Sequence, residues 1–517
     1  MQPRRYISLS LAAGAGALAA AATGTHRPNI LVCMADDAGH MGAYGTPWVH
    51  TPAFDSIASR GILFRNAFTC NSKSAPSRAC FITGRNSWQL REAANHWPAF
   101  PADIRSFPEA LKDSGYYTGY TGKGWGPGIA QNADGSEREL TGKKFNSRKL
   151  KPATTGINKI DYAANFGEYL KGWDHKSPLC FWYGAREPHR GYEYGSSARF
   201  GKHPADIDSV PAYWPDNETV RTDMLDYAVE IEHFDRHLGR IIEMLDSVGE
   251  LENTIVIVTS DHGMPFPRCK GQEYLASCHV PLAIMWPCGI KNPGRVTDSL
   301  VSLTDIAPTL MEAVGLTEAE TGMEPMSGRS LFPILNDTAA GIRPYLLLGR
   351  ERHDPGRPDD QGYPIRGIIR DNLLYLRNYE PSRWPAGNPE TGYMDVDGSP
   401  TKTEIIRARR NPATHYLWEL SMGLRPEEEL YDLSRDADCV SNLAADPAYA
   451  ARLKALRAEM ETRLRAEGDP RMEGRGDIFD RYPNKCESHQ FYNRVKAGEN
   501  PPHKWINDSD FDNYGQK

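Results

Sequence analysis

The sequence contains no Cys-x-x-Cys pair, so its nine cysteines lack the spacing from which a structural zinc site is built. Their number is odd and their spacing irregular, which does not describe the disulfide framework of a small secreted domain. After the N-terminal region no run approaches the roughly 18 apolar residues that cross a bilayer, so no membrane span is expected. Positive charge is in deficit: 60 Lys and Arg stand against 67 Asp and Glu, a formal net charge of −7. A general basic field for nucleic acid is thereby excluded, and any anionic ligand has to be met by cations gathered in a pocket. Internal repeats and low-complexity blocks are absent too. What remains is an ordinary globular composition, 40% hydrophobic and 25% charged, in 517 residues. That length buries a large core and suggests more than one domain.

The N-terminus reads as a signal peptide over residues 1–24. Arg4 and Arg5 form a basic start, residues 7–22 are apolar and rich in alanine, and residues 19–22 offer an A-x-A cleavage site. Export, periplasmic or secreted, is the expectation. Four short apolar runs then read as buried parallel strands: NILVCM (29–34), PLCFWYGA (178–185), TIVIVTS (254–260) and PLAIMW (281–286). Between them, residues 222–246 repeat Met224, Leu225, Ala228, Ile231, Leu238, Ile242 and Leu245 on a helical period, with charges opposite. Strands alternating with helices predict an α/β domain around a mostly parallel sheet. From about residue 365 shorter alternating runs and a charged helix over 447–467 predict a smaller α+β unit. The last fifty residues are expected to wrap the surface as loops.

In a parallel sheet, ligands gather at the carboxyl ends of the strands. There the first run is followed by Asp36-Asp37, the second by Arg186-Glu187-Pro188-His189-Arg190, and the third by Asp261-His262-Gly263. An isolated Asp-Asp is as readily a strand-ending turn or a helix cap. Carboxylates at several strand ends together predict an oxygen-rich site for a hard cation. The stretch NSKSAPSRACFITGR (71–85) adds Ser74, Pro76, Ser77, Arg78 and a terminal Thr-Gly-Arg.

That string resembles the signature of type I sulfatases, Cys or Ser followed by x-P-S-R and ending in T-G-R. GYYTGYTGKGW (115–125), TSDHG (259–263), SLTDIAPTL (302–310), GRSLFPIL (328–335) and EELYDLSRDADCVSNLA (428–444) agree with it in order. The resemblance implies an alkaline-phosphatase-like α/β fold, with a catalytic domain over 25–365 and a C-terminal α+β subdomain with antiparallel sheet over 366–517. It implies that Ser74 is oxidised to formylglycine by a serine-oxidising maturation enzyme, and that the hydrated aldehyde attacks sulfur. Asp36, Asp37, Asp261 and His262, with the group derived from Ser74, match the ligands of one Ca²⁺. Arg78 matches the residue that holds the formylglycine, and Lys123 and Lys270 match cations that bind sulfate.

Two positions depart from the family pattern. Trp125 and Gly126 stand where many members have a histidine after Gly-Lys, and Arg186 stands where many have the catalytic acid. His189 is then the candidate acid, and Arg186 is expected near the leaving group. His96, in AANHW, and Arg350, Glu351 and His353, in GRERHD, are expected to face the sugar. EPHR (187–190), SDHGMPFPRCK (260–270) and GYPIRGIIRDNLLYLRN (362–378) are similar to N-sulfoglucosamine sulfohydrolases. The substrate implied is a sulfated saccharide, first the N-sulfate of glucosamine in heparan or heparin fragments. The alternatives left open are an O-sulfatase for mucin or glycosaminoglycan hexoses, a phosphodiesterase or phosphonate hydrolase of the same fold, and a glycan-binding pseudo-sulfatase.

Overall fold

The computed structural model describes residues 27–512. The expected signal peptide lies outside the described residues. A large sheet is built from β1 (Asn29–Ala35), β2 (Ile62–Phe68), β3 (Tyr117–Gly122), β4 (Lys143–Lys144), β5 (Leu179–Gly184), β6 (Thr254–Ser260), β7 (His279–Val280), β8 (Leu282–Met285) and β9 (Arg295–Ser302). Its order is β4-β3-β5-β1-β6-β8-β2-β7, with β9 beside β2. From β4 to β6 all pairings are parallel.

The apolar run of β1 is continuous because both faces of the sheet are covered. Leu31, Cys33 and Ala35 join the core on one side, and Ile30, Val32 and Met34 join the core on the other. The helix Glu218–Ser247 covers the first side, capped by the Asn217 side chain on the Val220 N–H. Its charged face is not simply solvated. Asp223, Asp226, Glu230 and Asp235 are buried beneath loops, where Asp226 accepts from Gly195 and Ser197 and Asp235 accepts from Ala53 and Phe54.

One strand runs opposite to expectation. β8, within the fourth apolar run, is antiparallel to both β6 and β2. Residues 261–281, between β6 and β8, hold only the four-residue helix Leu275–Cys278 and the short strand β7, so no helix there is long enough to carry a parallel crossover across the sheet. The second sheet contains β10 (Tyr345–Arg350), β11 (Ile365–Arg370), β12 (Leu373–Asn378) and β13 (Glu428–Asp432), all antiparallel in that order. Its first strand therefore precedes residue 366. The helix Ala450–Ala466 packs on it through Leu453, Leu456, Met460 and Leu464. Among the described residues no helix is long and apolar enough to cross a membrane. The architecture is alkaline-phosphatase-like.

Candidate active site

The carboxyl ends of β1, β3 and β5 open on one cavity of about 710 Å³. Strand chemistry explains its floor. β1 ends in Asp36 and Asp37, both buried, and Asp37 has a positive φ of 72°. An aspartate adopts that left-handed conformation at less cost than most side chains. β3 and β5 approach closely at their ends: a Cβ on Gly122 would lie 1.9 Å from the Gly184 carbonyl oxygen. Only glycine permits that approach, and it delivers Lys123, the next residue, to the floor.

Ser74 is the first residue of the helix Ser74–Thr83, and its Oγ lies 3.2 Å from Asp36 Oδ1 and 3.5 Å from His262 Nε2. Arg78, one turn on, donates from Nη2 to Asp36 Oδ1 at 3.0 Å and from Nε to Asp261 Oδ2 at 2.9 Å. Ser77 donates to the Asp261 carbonyl at 2.5 Å, which ties the helix to the end of β6. Lys123 Nζ grips both oxygens of Asp36, at 2.7 and 2.8 Å. Lys270 Nζ lies 2.6 Å from Asp37 Oδ2 and 2.6 Å from Asp397 Oδ2. Burial alone would push the Asp36 and Asp37 carboxyls up. Lys123 and Arg78 for the first, and Lys270 and His262 for the second, outweigh it and hold both well below the usual carboxylate range. Burial opposes charge on Lys270 as well, yet Asp37 and Asp397 raise it.

Asp37, Asp261 and His262 bring one ligand atom each within 4.8 Å of one another. His262 Nε2 lies 2.8 Å from Asp37 Oδ1, a buried oxygen with no other hydrogen-bond donor. His262 Nδ1 faces the Gly263 carbonyl at 3.0 Å, which leaves Nε2 turned to the carboxylates. Two carboxylates, an imidazole, and the oxygens of Asp36 and Ser74 beside them are a donor set that fits a divalent cation. A second triad, Asp37, His189 and Asp397, adjoins it.

His189 Nδ1 lies 2.7 Å from the Arg190 carbonyl oxygen, so Nε2 is the ring atom facing Asp37, at 3.9 Å. Arg186 lines the cavity with its side chain exposed, and His96 lines it from a buried position beside Asp354. Trp125, at a position where histidine is common in the family, donates to the Ala75 carbonyl at 3.2 Å and braces the start of the Ser74 helix.

The GRERHD segment is not where the sequence placed it. Arg350, Glu351 and His353 are buried outside the cavity lining. Arg350 pairs with Asp395 at 2.5 Å, Glu351 with Arg366 at 2.7 Å and with Arg471 at 2.6 Å, and His353 Nε2 meets Asn71 Oδ1 at 3.0 Å. Of the three, His353 ties this segment to the loop before Ser74. From this segment Asp354 does reach the cavity, paired with Lys73 at 2.6 Å. Trp97, the last residue of the AANHW stretch, lines the cavity beside His96, whereas the sequence reading missed Asp397, Lys144 and Trp505, which line it too. Asp397 and Trp505 come from irregular chain that carries no periodic signal. The C-terminal residues do more than wrap the surface: Cys486, Ser488, Pro502 and Trp505 form part of the cavity wall.

Residues 28–316 match the family model described as Sulfatase. The chain belongs to the sulfatase family. This sulfatase is a hydrolase of the type I class within the alkaline-phosphatase-like superfamily. Human N-sulphoglucosamine sulphohydrolase is 28% identical to it over 467 residues, covering 84% of this chain and 89% of that protein. An ulvan-active sulfatase of Formosa agariphila is 27% identical over 486 residues, covering 86% of this chain and 76% of its own. A solved structure in complex with its substrate D-glucosamine-2-N,6-O-disulfate shares the fold. Its TM-score is 0.57 at 20% identity, over 86% of this chain and 99% of the other.

Proposed function

We propose that this sulfatase is an exported enzyme that hydrolyses the N-sulfate of glucosamine in heparan or heparin fragments, after Ser74 is oxidised to formylglycine by a maturation enzyme. The observation that carries the reading is the placement of Ser74. It stands at the start of a buried helix, on the floor of a large cavity, within 3.5 Å of both Asp36 and His262. Formylglycine in its hydrated form supplies a nucleophilic oxygen, and a calcium ion held by Asp36, Asp37, Asp261 and His262 supplies positive charge beside it. Arg78 fixes the residue that bears the nucleophile. Lys123 and Lys270 hold the sulfate oxygens, and the protein presents them already oriented by Asp36 and Asp37. His189 Nε2 faces the cavity and delivers the proton to the leaving nitrogen or oxygen. Trp97 and Trp505, with ring centroids 6.4 Å apart, offer apolar faces to a sugar ring.

The glucosamine assignment draws on the 28% identity to the human sulphohydrolase, and the 25% identity over 412 residues to an N-acetylglucosamine-6-O-sulfatase of Bacteroides thetaiotaomicron supports O-desulfation as the second reading. A screen on saccharides carrying a single N-, 2-O-, 3-O-, 4-O- or 6-O-sulfate separates them. Release from the N-sulfate alone is expected, and release from an O-sulfate alone transfers the assignment to the second reading. Peptide mass analysis after expression with a serine-oxidising maturation system should show Ser74 two hydrogens lighter. Ser74→Ala is expected to abolish turnover at an unchanged melting temperature, and turnover near that of the wild type would defeat the mechanism.

A further inference from the structure

The cations that line the cavity fall into two groups. Most have a carboxylate in reach: Lys73 has Asp354, Lys123 has Asp36, Lys270 has Asp37 and Asp397, Arg190 has Asp223, and the exposed Lys504 has Glu487 at 3.6 Å. Lys144 and Arg186 have none within ion-pair distance among the described residues, and both are exposed. They also share a wall. Lys144 lies opposite Tyr120 across the β3–β4 pairing, and Arg186 follows β5, the other neighbour of β3. The Tyr120 phenol joins them: burial, with Glu137 and Glu139, pushes it up to about 12, and the Arg186 charge pulls against that rise.

Lys144 is set apart from the sulfate that is cleaved, and Arg186 stands between the two, because it follows β5, the direct neighbour of β1. Asp36 follows β1, and the sheet order places β4 three strands away. At about 4.8 Å per strand that is about 14 Å, beyond the reach of a lysine side chain to the scissile group. A cavity of about 710 Å³ has room for ligand between the two. A pair of cations without ion-pair partners beside a half-buried phenol, on the wall of the cavity that holds Lys123 and Lys270, is where ligand charge gains most.

We propose that Lys144 and Arg186 form a second anion subsite, which binds a further sulfate or a carboxylate of the same saccharide and makes the enzyme prefer multiply anionic substrates. This rests on the sulfated-saccharide reading above. A single exposed ion pair contributes up to about 1 kcal/mol, about fivefold in affinity, and two contribute more.

The test compares two saccharides that carry the same scissile sulfate, one of them with a second sulfate or a uronate. The ratio of their kcat/KM values is measured for the matured wild type, Lys144→Gln, Lys144→Arg and Lys144→Gln/Arg186→Gln. The ratio should fall about fivefold in Lys144→Gln and more than tenfold in the double variant, and recover in Lys144→Arg. An unchanged ratio in the double variant overturns the subsite. In parallel, a defined heparin tetrasaccharide is titrated calorimetrically against Ser74→Ala with and without the two substitutions. If the matured enzyme binds but turns over nothing, the sulfatase reading of this cavity fails. The subsite then stands on a more than tenfold rise in Kd in the substituted protein and falls without it. If no saccharide binds, both fail.

Discussion

Glu273 is a fully buried carboxyl that the reaction does not use, set beneath the loop that leads to Ser74. It accepts from Cys278 at 2.9 Å and lies 3.4 Å from the Ser72 N–H. Burial pushes it up to about 7, against smaller opposing contributions from Cys278 and Arg350. A carboxyl whose folded pKa is raised keeps its proton in the native state after the unfolded chain has lost it. Stability therefore falls as pH rises from about 4.5 to about 7, by about 3 kcal/mol for this group. Glu273→Gln is expected to flatten the melting temperature over pH 4.5–8 relative to the wild type. Parallel curves for the two proteins would reject the assignment. The residues that define the floor behave differently, because each buried carboxylate there has a cation in contact. Such a cluster is costly to break and gains little over an apolar packing of the same volume. Its retention is explained by what it can bind.

At the scale of elements, the long helix Glu218–Ser247 does more than bury an apolar stripe. Asp235 accepts the N–H groups of Ala53 and Phe54 at 2.9 and 2.8 Å and so satisfies the first turn of the helix Pro52–Arg60. One helix supplies the cap of another. Asp235→Ala leaves the buried Phe54 donor and the half-buried Ala53 donor without an acceptor and should cost about 1–3 kcal/mol in urea unfolding at pH 7. Asp235→Asn keeps an acceptor and removes a buried charge, so it should cost less; the reverse order would refute the capping role. The nucleophile helix is fixed from outside itself in the same way. Ser77 bonds to the end of β6, Trp125 to its first turn, and Arg78 to carboxylates on two strands. Its own hydrophobic faces are buried throughout, so its orientation has little freedom.

Across the whole molecule the C-terminal segment closes the site. Lys402 and Asp510, both fully buried, pair at 3.1 Å, and Arg409 pairs with Asp512 at 2.7 Å. These contacts hold the segment whose Trp505 lines the cavity and donates to the Met394 carbonyl at 2.9 Å. A chain ending at Pro483 leaves the buried Lys402 ammonium with backbone carbonyls but no carboxylate and should lose about 3–5 kcal/mol, seen as a marked fall in melting temperature. It should also lose saccharide affinity. Trp505→Ala leaves Asp510 and Asp512 in place, and is expected to weaken saccharide binding with a smaller thermal effect. Unaltered binding in both proteins would remove this segment from the site.

The strands β1, β5 and β6, and the polar residues that follow them, are legible in the sequence because each is a local pattern: an apolar run long enough for one strand, then a carboxylate or a histidine. Ser74 and Arg78 are legible for the same reason, since their motif is contiguous. The direction of β8 was not, because it depends on how the chain returns between two strands. Nor was the burial of Arg350, Glu351 and His353. Their charges suggest a surface, and only the partners Asp395, Arg366 and Asn71, distant in sequence, make an interior place possible. Asp397, Trp505 and Lys144 enter the cavity through contacts that no local pattern announces. The sequence by itself determined which atoms can do chemistry, since motif and strand end are short-range features. Tertiary structure alone decided which charges are neutralised and which remain free to meet a ligand, because electrostatic pairing acts through space and not along the chain.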